Sequence, residues 1–180
     1  MVKIIQNGHP TLRTRALPVL IKDIGSPKIK KVLAEMKKAL SLESDGVAIA
    51  APQINVSLRI FVVSGKVFDE GFIHGDQLQE LSKNTDKVFI NPKILKMSRD
   101  KKLLSEGCLS VRPMYGKVRR ATRTTLEAYD EKGVKFVTEA SSLLAHIFQH
   151  ETDHLDGILF IDKAKDLHEA SPEEEFNNGK

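Results

Sequence analysis

Between residues 143 and 157 the chain reads LLAHIFQHETDHLDG. Leu143, Leu144, Ile147, Phe148 and Leu155 recur at steps of three and four, so the stretch predicts an α-helix with an apolar, buried face. Ser141 or Ser142 is its expected N-cap and Gly157 its stop. Within it, His150, Glu151 and His154 form an H-E-x-x-H. At 3.6 residues per turn, positions four apart share a face, so both imidazoles reach one metal ion. Glu151, one residue along, lies close to a water on that ion without taking a coordination position. Two imidazoles are too few for a site, and a third ligand has to come from elsewhere. The rest of the chain reads as a frame for this helix.

With 180 residues, the expectation is one domain over 1–165, followed by a polar, acidic C-terminal tail at 166–180. Hydrophobic residues at 41% and charged residues at 29% are those of a soluble globular protein. No apolar run approaches the ~20 residues of a membrane span. The start, MVKIIQNGHP, lacks the apolar core of a signal peptide, so the expected location is cytoplasmic. The single cysteine, Cys108, excludes an internal disulfide framework and agrees with a reducing compartment. Net charge is only +4, and no basic stripe is interleaved with aromatics, so neither a nucleic-acid module nor a membrane partner is expected.

Ser26-Pro27 predicts an N-cap and first turn, and the apolar positions Ile29, Val32, Leu33, Met36, Ala39 and Leu40 extend a helix over 27–42. Strands are expected at 58–63, at 87–91 with Pro92 ending it, and at 93–98, 118–129 and 133–139. Asp130–Gly133 is a hairpin turn between the last two, and 64–86 reads as a long surface loop or insertion. After Asp162 the tail is expected to fray. Strands in the middle and two main helices far apart give an α+β class, with mixed or antiparallel sheets packed around the H-E-x-x-H helix.

Cys108 is the natural third ligand, although a lone cysteine also serves as a small buried hydrophobe. It stands in Glu106-Gly107-Cys108-Leu109-Ser110, after Gly46-Val47-Ala48-Ile49-Ala50-Ala51-Pro52-Gln53 and before Gln149-His150-Glu151-Thr152-Asp153-His154-Leu155. In order and spacing these three motifs resemble those of the peptide deformylase family, over about residues 3–163.

The resemblance implies an enzyme that removes the N-formyl group from the formyl-methionine of new polypeptides and releases formate. It implies one divalent metal ion on Cys108, His150 and His154, with Fe²⁺ expected and Zn²⁺, Ni²⁺ or Co²⁺ as substitutes. Glu151 would move the proton, and the Gln53 amide with the Leu109 N–H would stabilise the oxyanion. An ion pair of Glu106 with Arg120 would brace the cysteine loop. Asp153 would accept a hydrogen bond from a ligand imidazole or its neighbourhood. Val47, Ala48 and Gly107 would meet the substrate backbone. Leu143, His146 and Ile147, alongside Phe89 or Leu104, would line the methionine pocket. N-formylmethionyl peptides are then the expected partner, with the ribosome exit region as a transient one.

Some positions depart from the pattern. Ala48 stands at a usual glycine, and His146 at a pocket position more often apolar or arginine. Val111-Arg112-Pro113 replaces an apolar residue followed by Pro-Gly, and the tail is acidic where some relatives carry a basic ribosome-docking helix. Two rivals follow. A zincin-type metallopeptidase would need His168 or Glu169 as third ligand, and a non-catalytic relative would bind N-termini without turnover.

Overall fold

The strand Ile-Phe-Val-Val at 60–63 is buried at every position, and its alternating side chains feed two different cores. The computed structural model describes residues 2–69 and 84–178. Among these the order is α1 (Pro27–Ser41), β1 (Ala48–Ala50), β2 (Ile60–Val63), β3 (Lys87–Met97), β4 (Lys101–Gly107), β5 (Met114–Ala121), β6 (Arg123–Tyr129), β7 (Lys135–Ser141), α2 (Ser142–Leu155), β8 (Lys165–Glu169) and α3 (Pro172–Asn178). One sheet runs β1-β2-β3-β6-β7 and a second runs β4-β5-β8. All pairings within these sheets are antiparallel, which resolves the expected mixed or antiparallel α+β arrangement.

The five-stranded sheet is covered on both faces. Ile60, Val62, Val88 and Ile90 point to the core that holds Ile29, Leu33, Met36 and Leu40 of α1. Their neighbours Phe61, Val63 and Phe89 point the other way, onto Ala145, Ile147, Phe148 and Leu155 of α2. The helix α1 begins as expected, with Ser26 Oγ accepting from the Ile29 N–H and Pro27 in the first turn. Ser141 is the N-cap of α2 but its side chain makes no cap bond. Gly157, at φ +76°, ends α2 in the left-handed conformation glycine tolerates.

Several boundaries differ from the sequence expectation. Pro92 does not end a strand. The strand β3 runs through it, because Asn91 adopts φ +51° and the register to β6 shifts between Ile90 and Lys93, so the missing N–H falls in a bulge. The stretch 118–129 is not one strand: it breaks at Thr122, where the chain leaves β5 in one sheet and enters β6 in the other. The tail after Asp162 is not frayed through 169, since β8 pairs with β5, matching Met114 to Glu169 and Tyr115 to His168. Of the loop expected at 64–86, Gly65–Phe68 form a turn of 3-10 helix and 70–83 lie outside the described residues. Among the described residues, no helix is long and apolar enough to cross a membrane.

Candidate metal centre and active site

The three candidate ligands come from two elements. Cys108 follows the last residue of β4, and His150 and His154 lie one turn apart on α2. One ligand atom from each lies within 4.8 Å of the other two, and Cys108 Sγ is 3.1 Å from His154 Nε2. A thiolate and two neutral imidazoles suit a transition metal and leave a position for water or substrate. Gly107 permits this approach. The Tyr115 ring of the paired strand lies where a Cβ at 107 would stand, so no other residue fits without moving the ring.

The carboxylate of Glu106, the residue of β4 just before the glycine, organises one side of the site. Its Oε1 accepts from Arg120 Nε at 2.6 Å, and His146 Nε2 stands 2.6 Å from the same oxygen. Its Oε2 accepts from Arg120 Nη2 at 3.0 Å and from His150 Nδ1 at 2.9 Å. Burial would raise this carboxyl, but the bonds from Arg120, His146 and His150 outweigh it and hold the pKa well below the usual carboxylate range. Donation through Nδ1 leaves His150 Nε2 for a metal. Burial acts against a charge on His150, yet its bonds to Cys108 and Glu106 raise its pKa well above the usual value. Burial, with the neighbouring His150, drives His154 well below it.

Glu151 differs from Glu106 in its surroundings. It is buried, its Oε2 has no hydrogen-bond partner among the described residues, and burial pushes its pKa up to about 7. His154 Nδ1 is likewise buried and unpartnered. Orphaned polar atoms beside three converging ligand donors fit a centre built to hold a metal and a water.

Opposite the helix, Gln53 is fixed at both ends of its amide. Oε1 accepts from the Ala50 N–H at 2.8 Å, which turns Nε2 toward Ser110 Oγ at 3.2 Å and Cys108 Sγ at 3.6 Å. The Leu109 N–H, next to Cys108, donates to no backbone carbonyl among the described residues. A segment with no motif ties these two donors together: the Ile5 N–H donates to Gln53 O, Asn7 N–H to Ser110 O, and Gln6 Nε2 to Leu109 O. Only its proximity to the Gln53 turn reveals it, and periodicity carries no trace of it.

A cavity of about 850 Å³ opens onto Cys108, His150 and Glu151 and is lined by Val47, Ala48, Leu104, Gly107, Leu143, His146 and Ile147. Phe89, the alternative to Leu104, is a correction: it does not line the cavity but packs against Phe61 at 4.7 Å and Phe148 at 5.0 Å in the core. Ala48 pairs with Val63 in β1 and is absent from the positive-φ positions, so its methyl does not strain the backbone. Asp153 bonds neither imidazole. It accepts from Arg120 Nη1 at 2.6 Å and Lys163 Nζ at 2.7 Å, in the neighbourhood of the ligands, and Glu106 holds the imidazole. His168 bonds Glu175 at 2.8 Å on the exposed β8, and neither His168 nor Glu169 is part of the ligand cluster, contrary to what a zincin-type site needs.

Comparison with known proteins agrees with this geometry. The family description "Polypeptide deformylase" matches residues 1–170. The chain belongs to that family. It is 40% identical over 165 residues to a peptide deformylase of Carboxydothermus hydrogenoformans, covering 92% of this chain and 94% of that protein. To peptide deformylase 1A, chloroplastic/mitochondrial, of Arabidopsis thaliana it is 37% identical, covering 89% of this chain but 60% of the plant protein. A crystal structure of peptide deformylase from Plasmodium falciparum superposes with a TM-score of 0.77 at 35% identity, covering 91% of this chain and 87% of that one. A Met-Ala-Ser-bound class I type b peptide deformylase from Acinetobacter baumannii gives 0.77 at 31%, with 90% and 98% covered. Polypeptide deformylases are metal-dependent hydrolases that remove the formyl group from an N-terminal methionine, and this chain is an enzyme of that kind.

Proposed function

We propose that Cys108, His150 and His154 hold Fe²⁺, with Zn²⁺, Ni²⁺ or Co²⁺ as substitutes, and that the substrate is an N-formylmethionyl peptide. The convergence of three ligand atoms within 4.8 Å, next to the unpartnered Glu151 carboxyl, carries this reading. When bound, such an ion supplies Lewis acidity to water and to the formyl carbonyl. Glu151 takes the proton of the attacking water and delivers it to the amine as the formyl C–N bond breaks, leaving formate. A carboxyl near neutrality is suited to both transfers. Gln53 Nε2 and the Leu109 N–H donate to the formyl oxygen as charge develops there, each worth about 2.7–4 kcal/mol by analogy with other oxyanion holes.

The peptide adds a strand along the outer edge of β1 at Val47 and Ala48 and runs past Gly107, since β1 is an edge strand whose outer side faces the cavity. Leu143, Ile147 and Leu104 receive the methionine side chain, with His146 on the same wall. The Met-Ala-Ser bound to the Acinetobacter relative supports this assignment of the cavity. We place the reaction in the cytoplasm, near the ribosome exit, where formylated chains first appear.

The test is formate release from formyl-Met-Ala-Ser by protein purified anaerobically and assayed for metal in the same sample. Turnover with one ion per chain is expected. Bound metal without formate would overturn the substrate assignment, and failure to take up any metal would overturn the centre itself.

A further inference from the structure

Three histidines, 146, 150 and 154, follow one another at four-residue steps along α2, so they line a single stripe of the helix. Two of them are proposed ligands. The third, His146, points its Nε2 at the same carboxylate that holds the first ligand. We infer that His146 is a positioning residue for the metal centre, acting through Glu106 on His150. The inference rests on the proposed ligand set.

A carboxylate offers about four lone-pair directions. At Glu106 each oxygen takes one N–H from the Arg120 guanidinium and has one imidazole nitrogen against it, His146 Nε2 at 2.6 Å from Oε1 and His150 Nδ1 at 2.9 Å from Oε2. Four nitrogens therefore surround the carboxylate. Arg120 grips both oxygens from one side, but Glu106 also contributes to the cavity lining, and its last torsion is a soft one. His146 stands on that same wall, with a side chain only 13% exposed, and closes the open side of Oε1. Without it, a buried acceptor faces a cavity large enough to admit water, which competes for Oε1 and loosens the carboxylate that aims His150. A leucine there would line the cavity but leave that acceptor unfilled, whereas a glutamine would reach it with an N–H.

Zn²⁺ affinity, measured by competition with a chromophoric chelator, separates these roles, together with the absorption spectrum of the Co²⁺-loaded protein. His146→Leu should weaken Zn²⁺ binding about tenfold, the lower end of what loss of a metal-orienting contact costs. It should also shift the Co²⁺ bands and lower kcat on formyl-Met-Ala-Ser. His146→Gln should recover most of the affinity and the wild-type spectrum, which a change of cavity shape alone would not produce. Unchanged affinity and spectrum in His146→Leu, with any effect confined to KM, would overturn the proposal and leave His146 as cavity wall. The affinity comparison decides the matter even in a protein that releases no formate, so it stands apart from the test of the reaction.

Discussion

Helix α2 has two neighbours of opposite character. Toward the five-stranded sheet it presents Ala145, Phe148 and Leu155, against Phe61, Phe89 and Leu126. Toward the three-stranded sheet and the turn that precedes β8 it presents His146, His150 and Asp153, against Glu106, Arg120 and Lys163. The first contact is non-directional and would survive a small rotation of the helix as long as volume is kept. The second is satisfied bond by bond, and a rotation of a few tens of degrees would break it. Apolar packing thus holds the helix down, and the buried charges set which way it faces. A buried ion-pair network is not by itself a large source of stability, but removing one partner strands the others.

This contrast can be broken from either side. The largest effect is expected at the chemistry, where Glu151→Gln should lower formate release by about 10²–10⁴-fold while metal content stays at one ion per chain. Near-normal turnover would remove Glu151 from the reaction. Arg120→Met should cost about 3–5 kcal/mol, because it leaves the Glu106 charge buried with imidazole partners alone. Denaturant unfolding measures that loss, and Zn²⁺ affinity should fall with it. Phe148→Ala should cost a similar 3–5 kcal/mol by opening a cavity among the rings, but with Zn²⁺ affinity of the folded protein kept. If Phe148→Ala weakens the metal as much as Arg120→Met does, the division of labour along α2 is wrong. The smallest effect belongs to Ala48→Gly: about 0.5–1 kcal/mol of stability lost and kcat/KM unaltered, since the methyl sits in ordinary strand backbone. A clear gain in kcat/KM would show instead that the methyl obstructs the peptide.

What the sequence made legible follows the same division. The two helices and the candidate ligand pair on α2 are readable because a 3.6-residue apolar period leaves a strong local trace, and the three motifs point to Cys108 as the proposed third ligand. Strand β4 (KKLLSEG) was missed because it is mostly exposed, and β8 (KDLHE) because every residue in it is. Neither shows the alternation a half-buried strand would. Pro92 does not end the strand because a bulge absorbs it, which depends on the left-handed Asn91 and on β6, where Ile90 and Lys93 pair with Tyr129 and Glu127. The run 118–129 looks continuous because nothing in its composition marks the change of sheet at Thr122. Asp153 was the nearer carboxylate along the helix, but Glu106 reaches His150 across the fold, and only the pairing of β4 with β5 places it there. The role of Gln6 has no local signature at all.

Gln149 points to a further consequence, in time rather than in energy. Its amide accepts from the Ala121 N–H at 2.9 Å and donates to the Ala121 and Ala145 carbonyls at 2.9 and 2.8 Å, so one side chain stitches α2 to the end of β5. The Ala121 amide proton can therefore leave for solvent only when α2 lifts from that strand. Its rate of hydrogen–deuterium exchange becomes a clock for opening at the helix, one residue from Arg120 and without a label placed in the cavity.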